Sequence, residues 1–132
     1  MRILIDTNIL ISAALFPNSV PYRAFMKAVT LHHAMICSQN AEEMQHVFMR
    51  KFPERIGTLN RFLDTAIQVL EVVTTPDSAV SSEILIRDKA DRPILRAALA
   101  YNADIILTGD KDFLESGIIH PKCISPSDFL GQ

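Results

Sequence analysis

Ile3-Leu4-Ile5-Asp6-Thr7-Asn8-Ile9-Leu10 is the stretch on which the reading of this chain turns. Three consecutive aliphatic residues, two of them β-branched, read as a short strand buried on both faces, as in a parallel sheet covered by helices. Asp6 then stands at the carboxyl end of that strand. Ligands of open α/β sheets bind beyond the strand carboxyl ends, so a charge placed there is placed for chemistry. A second reading stays open at this point: Asp6 or Asn8 simply caps a helix running from Ile9 to Leu15.

Outward from this stretch, strands and helices alternate. Pro17, Asn18, Ser19 and Pro21 form a loop, and Tyr22 to Leu31 has helical apolar spacing. Ala34 to Cys37 reads as a second strand, and Ser38 or Asn40 caps a helix from Ala41 to about Phe52 with Met44, Val47 and Phe48 on its buried stripe. Leu59 to Leu70 repeats at helical spacing and gives way to a β-branched cluster, Val69 to Thr75, expected as a third strand. Ser81 to Ile86 reads as a short helix. Asp91-Arg92-Pro93 opens another, with aspartate at the N-cap and proline in the first turn. Ile105 to Leu107 and Lys122 to Ile124 are the fourth and fifth strands, and Pro126 to Leu130 is a last helical turn. Right-handed crossovers between such strands put helices on both faces of a parallel sheet, here expected as one domain over residues 1–132.

Composition narrows the function classes. The chain has 132 residues, 48% of them hydrophobic and 21% charged, which is globular rather than disordered. Its longest apolar run, Ile9 to Phe16, is too short to span a bilayer, and Asp6 interrupts any signal-peptide pattern, so a soluble cytoplasmic protein is expected. The formal net charge of −2 exerts no global pull on nucleic acid. Cys37 and Cys123 lack the spacing of a metal or redox pair and read as buried reduced thiols. His32, His33, His46 and His120 show no ligand spacing, and without a glycine-rich loop nucleotide chemistry is disfavoured.

The acids are the informative feature. Asp6 follows strand one, Glu42 and Glu43 lie in the helix after strand two, Asp91 opens the helix before strand four, and Asp110 with Asp112 follows strand four. Helix capping explains each singly, and Asn40 with Glu43 has near capping-box spacing. It explains the set less well. Strand ends on one edge of a parallel sheet converge, and carboxylates forced together repel unless a cation or proton offsets them. Hard oxygen ligands without cysteine or histidine select Mg²⁺ or Mn²⁺ over zinc.

Ile5-Asp6-Thr7-Asn8-Ile9-Leu10, Ser38 to Glu43 with Val47, Arg87-Asp88-Lys89-Ala90-Asp91-Arg92-Pro93-Ile94-Leu95 and Leu107-Thr108-Gly109-Asp110-Lys111-Asp112-Phe113-Leu114 together resemble the PIN-domain family, and more narrowly the VapC-like ribonuclease toxins of toxin-antitoxin pairs. The resemblance runs in order from Asp6 to Pro126-Ser127-Asp128-Phe129-Leu130. It implies a three-layer α/β/α sandwich with a parallel sheet of about five strands. It also implies Mg²⁺- or Mn²⁺-dependent endoribonuclease activity, as the toxin of a type II pair. By position, the resemblance makes Asp6, Glu43, Asp91 and Asp110 the catalytic acids, with Asp6, Asp91 and Asp110 around the metal and Glu42 a rival to Glu43. Asn8 and Thr108 are implied as polar supports, Asp112 as a peripheral ligand or solvated acid, and Asp88 as a surface residue. Arg50, Lys51, Arg55, Arg87, Lys89, Arg92 and Arg96 are the expected RNA-backbone contacts. An RNA substrate, a homodimer and a cognate antitoxin are implied partners. Two other classes remain: a phosphoaspartyl phosphohydrolase, which would want an acid where Asn8 stands, and a catalytically silent binding module whose acids are caps and surface charge.

Overall fold

The computed structural model describes residues 1–132, and its five strands all run parallel. They are β1 (Arg2–Ile5), β2 (His33–Cys37), β3 (Glu71–Val73), β4 (Ile105–Leu107) and β5 (Lys122–Ile124). Their order across the sheet is β3-β2-β1-β4-β5. The chain therefore leaves β1 toward one edge, then returns to the other side of β1 to lay down β4 and β5. The order reverses between β1 and β4, and the crossovers on either side of that point diverge and open a crevice at the carboxyl ends.

Alternation along the strands feeds two cores. Ile3, Ile5, Ile36, Ile105 and Leu107 pack on one face, and Leu4, Met35, Cys37, Val73 and Ile106 on the other. Against the first lie α1 (Thr7–Leu15), α2 (Val20–Leu31), α3 (Ser38–Lys51), α4 (Ile56–Ala66) and α7 (Pro126–Leu130), contributing Leu10, Ala24, Met44, Phe48, Leu59 and Phe129. Against the second lie α5 (Arg92–Ala100) and α6 (Lys111–Leu114), contributing Leu95, Ala98 and Phe113. The result is the three-layer α/β/α sandwich with a five-stranded parallel sheet that the resemblance implied. No helix is long and apolar enough to cross a membrane.

Several local expectations are corrected. Helix α1 begins at Thr7 with Asp6 at its N-cap, so Asn8 lies inside the helix. Helix α3 begins three residues before the expected Ala41, and neither Ser38 nor Asn40 caps it. Asn40 is instead buried, its side-chain amide donating to the carbonyl of Ile5 at 3.2 Å. That bond ties α3 to the last residue of β1, and an amide buried this deeply needs such a partner. The Asn40–Glu43 capping box does not form. Helix α4 ends at Ala66 rather than near Leu70. Ser81–Leu85 is a 3₁₀ turn rather than an α-helix. Asp91 stands at the start of α5, but its carboxylate makes no capping bond. The local cap is Asp88, which accepts from the amide of Ala90 at 3.0 Å.

Candidate active site

Asp6 is the fixed point of the site. Its amide donates to the carbonyl of Leu107 at 3.0 Å, which locks the end of β1 to β4. Its carboxylate is almost wholly buried, with one oxygen accepting from the Thr7 amide and the other from the Thr108 hydroxyl, both at 2.8 Å. Thr108 is itself inaccessible, and its hydroxyl oxygen accepts the Asp110 amide at 3.0 Å. One threonine thus couples the acid after β1 to the acid after β4. Thr7 does the same on the other side: its hydroxyl donates to Oε2 of Glu43 at 3.2 Å. Glu43 therefore faces the crevice; both glutamates are exposed, but Glu42 makes no side-chain hydrogen bond.

Asp91 and Asp110 arrive from the other side of the switch point. Helix α5 runs back along the sheet to meet β4, so its first turn lies at the carboxyl edge, where Asp91 comes within hydrogen-bonding range of Asp110. Asp110 caps α6 by accepting the Asp112 amide at 2.9 Å. Beyond them the oxygens of Asp88, Asp91 and Asp112 approach to within 4.8 Å of one another, a spacing suited to a shared cation. Asp88 is exposed, as expected, but belongs to this group, because i and i+3 positions of the 3₁₀ turn Lys89–Asp91 and its cap stack on one side.

Electrostatics match this crowding. Burial pushes the Asp6 carboxyl up to about 6, against the lowering effect of the Thr108 and Thr7 hydrogen bonds, with Asp110 and Glu43 adding repulsion. Asp91 is pushed up to about 7, first by burial and then by its hydrogen bond with Asp110 and the charge of Asp110, with Asp88 and Asp6 behind. No Lys or Arg pairs with Asp6, Asp91, Asp110 or Glu43; the ion pairs are Arg2 and His33 with Glu71, Arg87 with Asp112, and Arg96 with Glu83. Cys37 at the end of β2 is held neutral, its thiol pushed up to about 11 by burial, as is that of Cys123. Both are free, as expected, and neither offers a thiolate to a metal.

Asn8 lines the open cleft of about 650 Å³ beside Asp110 and makes no hydrogen bond to the acids. The hydroxyls of Thr7 and Thr108 do the orienting. Of the expected RNA contacts, Arg92 and Arg96 are spent internally, on the Ile86 carbonyl and the Glu83 carboxylate. Arg87 holds Asp112 through two nitrogens, and Arg50, Lys51, Arg55 and Lys89 are exposed. Thr7 is not among the residues expected from sequence, and Asn40 is expected there only as a helix cap; a threonine directly after a strand-end acid is the one available signal for the first.

The family model described as PIN domain matches residues 2–112. The chain belongs to the PIN domain family. A relative from Methanocaldococcus jannaschii, the uncharacterized protein MJ1680, is 28% identical over 148 aligned positions covering 100% of this chain and 91% of that protein. In structure, the chain is similar to a chain in the crystal structure of VapBC2 from Rickettsia felis bound to a DNA fragment from their promoter. The TM-score is 0.68 and the identity 20%, over 95% of this chain and 98% of that one. PIN domains are in general nucleases that use divalent metals, and the acidic cluster of this PIN domain lies at its sheet's switch point.

Proposed function

We propose that this PIN domain is a Mg²⁺- or Mn²⁺-dependent endoribonuclease, acting as the toxin of a toxin-antitoxin pair in the cytoplasm. The observation that carries the reading is the placement of Asp6, Glu43, Asp91 and Asp110 around one crevice without a neutralising cation from the chain. Like charges held this close are expensive, and the residues that hold them there, Thr7 and Thr108, are buried to do so. The donor set is all hard oxygen, which fits a small divalent cation and not zinc.

Asp6, Asp91 and Asp110 would hold the ion, and the ion when bound supplies charge stabilisation at a phosphoryl oxygen and acidifies a coordinated water. The residues contribute the rest. Thr108 holds the Asp6 carboxylate and the Asp110 main chain, and the Asp112 amide holds the Asp110 carboxylate, so little reorganisation is needed when a phosphate arrives. Glu43, held by Thr7 and exposed to the crevice, is placed to accept the proton of an attacking water. Asn8, free of internal partners at the cleft wall, is placed to orient that water or a phosphate oxygen. A homodimer and a protein antitoxin complete the proposal. Support for them comes from the PIN family match and from the likeness to VapBC2, whose own structure includes promoter DNA.

Purified protein incubated with a mixed RNA pool tests this. Cleavage should require added Mg²⁺ or Mn²⁺, be poor with Zn²⁺, and vanish in Asp110→Asn. Equal cleavage in excess chelator would refute the mechanism. A metal-independent binding module predicts no cleavage and no change in thermal stability at millimolar Mn²⁺.

A further inference from the structure

We infer that a single-stranded RNA crosses the acidic site along the groove between α6 and the start of α1, gripped there through its phosphates by Lys111. The inference rests on the nuclease reading above and adds the path and the gripping residue.

Two adjoining cavities, of about 240 and about 650 Å³, share Arg87, Lys111 and Asp112. Together they form one groove, from Glu115 and Ser116 past Asp112 and Asp110 to Asn8 and Ser12. Asp110 lines it, and Asp6, bonded to the same Thr108 and only 5% exposed, lies deeper behind. A strand must bend its backbone inward to bring a phosphate to that depth. A free single strand does this readily, whereas a paired A-form helix holds its backbone on a rigid cylinder.

The cations around the groove are unequal. Arg92 is spent on Ile86, Arg96 on Glu83, and Arg87 on Asp112. Lys111 lies in sequence between two aspartates yet pairs with neither, because Asp112 is taken by Arg87 while Asp110 turns back to the Asp112 amide. Its ammonium is exposed and free to meet an incoming anion. Arg87, whose side chain is 80% exposed, can swing away from the less exposed Asp112 and add a second phosphate contact. By contrast, Arg50 and Lys51 line neither cavity, and they lie about 10 Å further along α3 than Glu43.

The walls also define what is read. No aromatic residue lines either cavity, so bases find no stacking platform, and a lysine reads phosphate as a point charge. The groove therefore grips backbone and imposes little base preference.

The test is fluorescence anisotropy with a short single-stranded RNA, Ca²⁺ replacing Mg²⁺ to slow chemistry, across a salt series. Lys111→Ala should flatten the slope of log affinity against log salt by about 0.7, the value for one lost single-strand phosphate contact. It should weaken RNAs of different sequence alike, and in Mg²⁺ it should raise KM while leaving kcat. Lys111→Arg should restore the slope, and a paired Arg50→Ala, Lys51→Ala variant should leave it unchanged. An unchanged slope in Lys111→Ala, a loss confined to the Arg50/Lys51 variant, or a loss for one sequence only would overturn the assignment while the wild type still cleaves. If the wild type neither binds RNA nor cleaves it with metal, both the groove and the nuclease reading fall.

Discussion

Replacing Asp6 by Asn separates what this residue does for the fold from what it does for chemistry. With its carboxyl pushed from 3.8 to about 6, native Asp6 holds a proton that the unfolded chain has already released. Stability contributed by the neutral form is therefore fully present below about pH 4 and lost as pH rises to about 6, so above pH 7 ionised Asp6 costs the native state about 3 kcal/mol. Asn avoids that cost and caps a helix as well as Asp does, so the Thr7 amide keeps its partner. The loss is at Thr108, whose hydroxyl must then accept from the new amide instead of donating, at about 1 kcal/mol. The net expectation without metal at pH 7.5 is a gain of about 1–2 kcal/mol, a Tm rise of roughly 3–8 °C. At pH 4 the gain should vanish or reverse. Urea melts of both proteins in excess chelator at the two pH values measure this, while added Mn²⁺ should stabilise only the wild type, and RNA cleavage by the variant should fall at least about a hundredfold. A loss exceeding about 1 kcal/mol at pH 7.5 would refute the reasoning, because capping and the Thr108 bond would then outweigh repulsion.

The Thr7–Glu43 bond predicts that Glu43→Gln lowers the RNA cleavage rate at saturating Mg²⁺ by about tenfold or more, whereas Glu42→Gln leaves it nearly unchanged; the reverse pattern in single-turnover assays would reassign the acid. Thr108→Val leaves the half-buried Asp110 amide without its acceptor and Asp6 without its hydroxyl donor, so it should cost about 1–3 kcal/mol in denaturant melts and weaken Mn²⁺ binding about 10- to 100-fold by calorimetry. Because Asp6 and Asp91 are pushed up to about 6 and about 7, the ion must displace protons at low pH; apparent Mg²⁺ affinity in cleavage assays should rise between about pH 5.5 and 7.5 and level off above.

The strands were legible because their apolar runs are short, β-branched and bounded by turn residues: Ile105–Leu107 and Lys122–Ile124 fall where they were expected. The strand-end position of Asp6 was legible for the same reason. The start of α3 was not, because its cap is no side chain at all, and Asn40, which looked like a cap, satisfies a main-chain carbonyl across the interior. The 3₁₀ character of Ser81–Leu85 was also hidden. That segment is held from outside, by Arg96 on Glu83 and Arg92 on Ile86, contacts that no local pattern announces. Within the site, the convergence of acids could be read from topology and Thr108 as a polar support from the resemblance, but Thr7 and the bonds by which the two threonines couple the acids in pairs could not. A hydroxyl's partner depends on rotamer and register, and Thr7 and Thr108 have ordinary surface chemistry in sequence. The basic residues were least legible, since an arginine bound to a carboxylate and one free for phosphate are the same letter.

The most direct test is a Mn²⁺ titration followed by electron paramagnetic resonance, which reads the free ion, on the wild type and on Asp6→Asn and Asp110→Asn. If the acids at the β1–β4 switch point are brought together to hold a divalent cation, the wild type takes up at least one Mn²⁺ per chain with a dissociation constant below about 1 mM, and either substitution weakens that uptake at least about tenfold. Free Mn²⁺ that tracks added Mn²⁺ from the first aliquot, identically in all three proteins, would contradict the account.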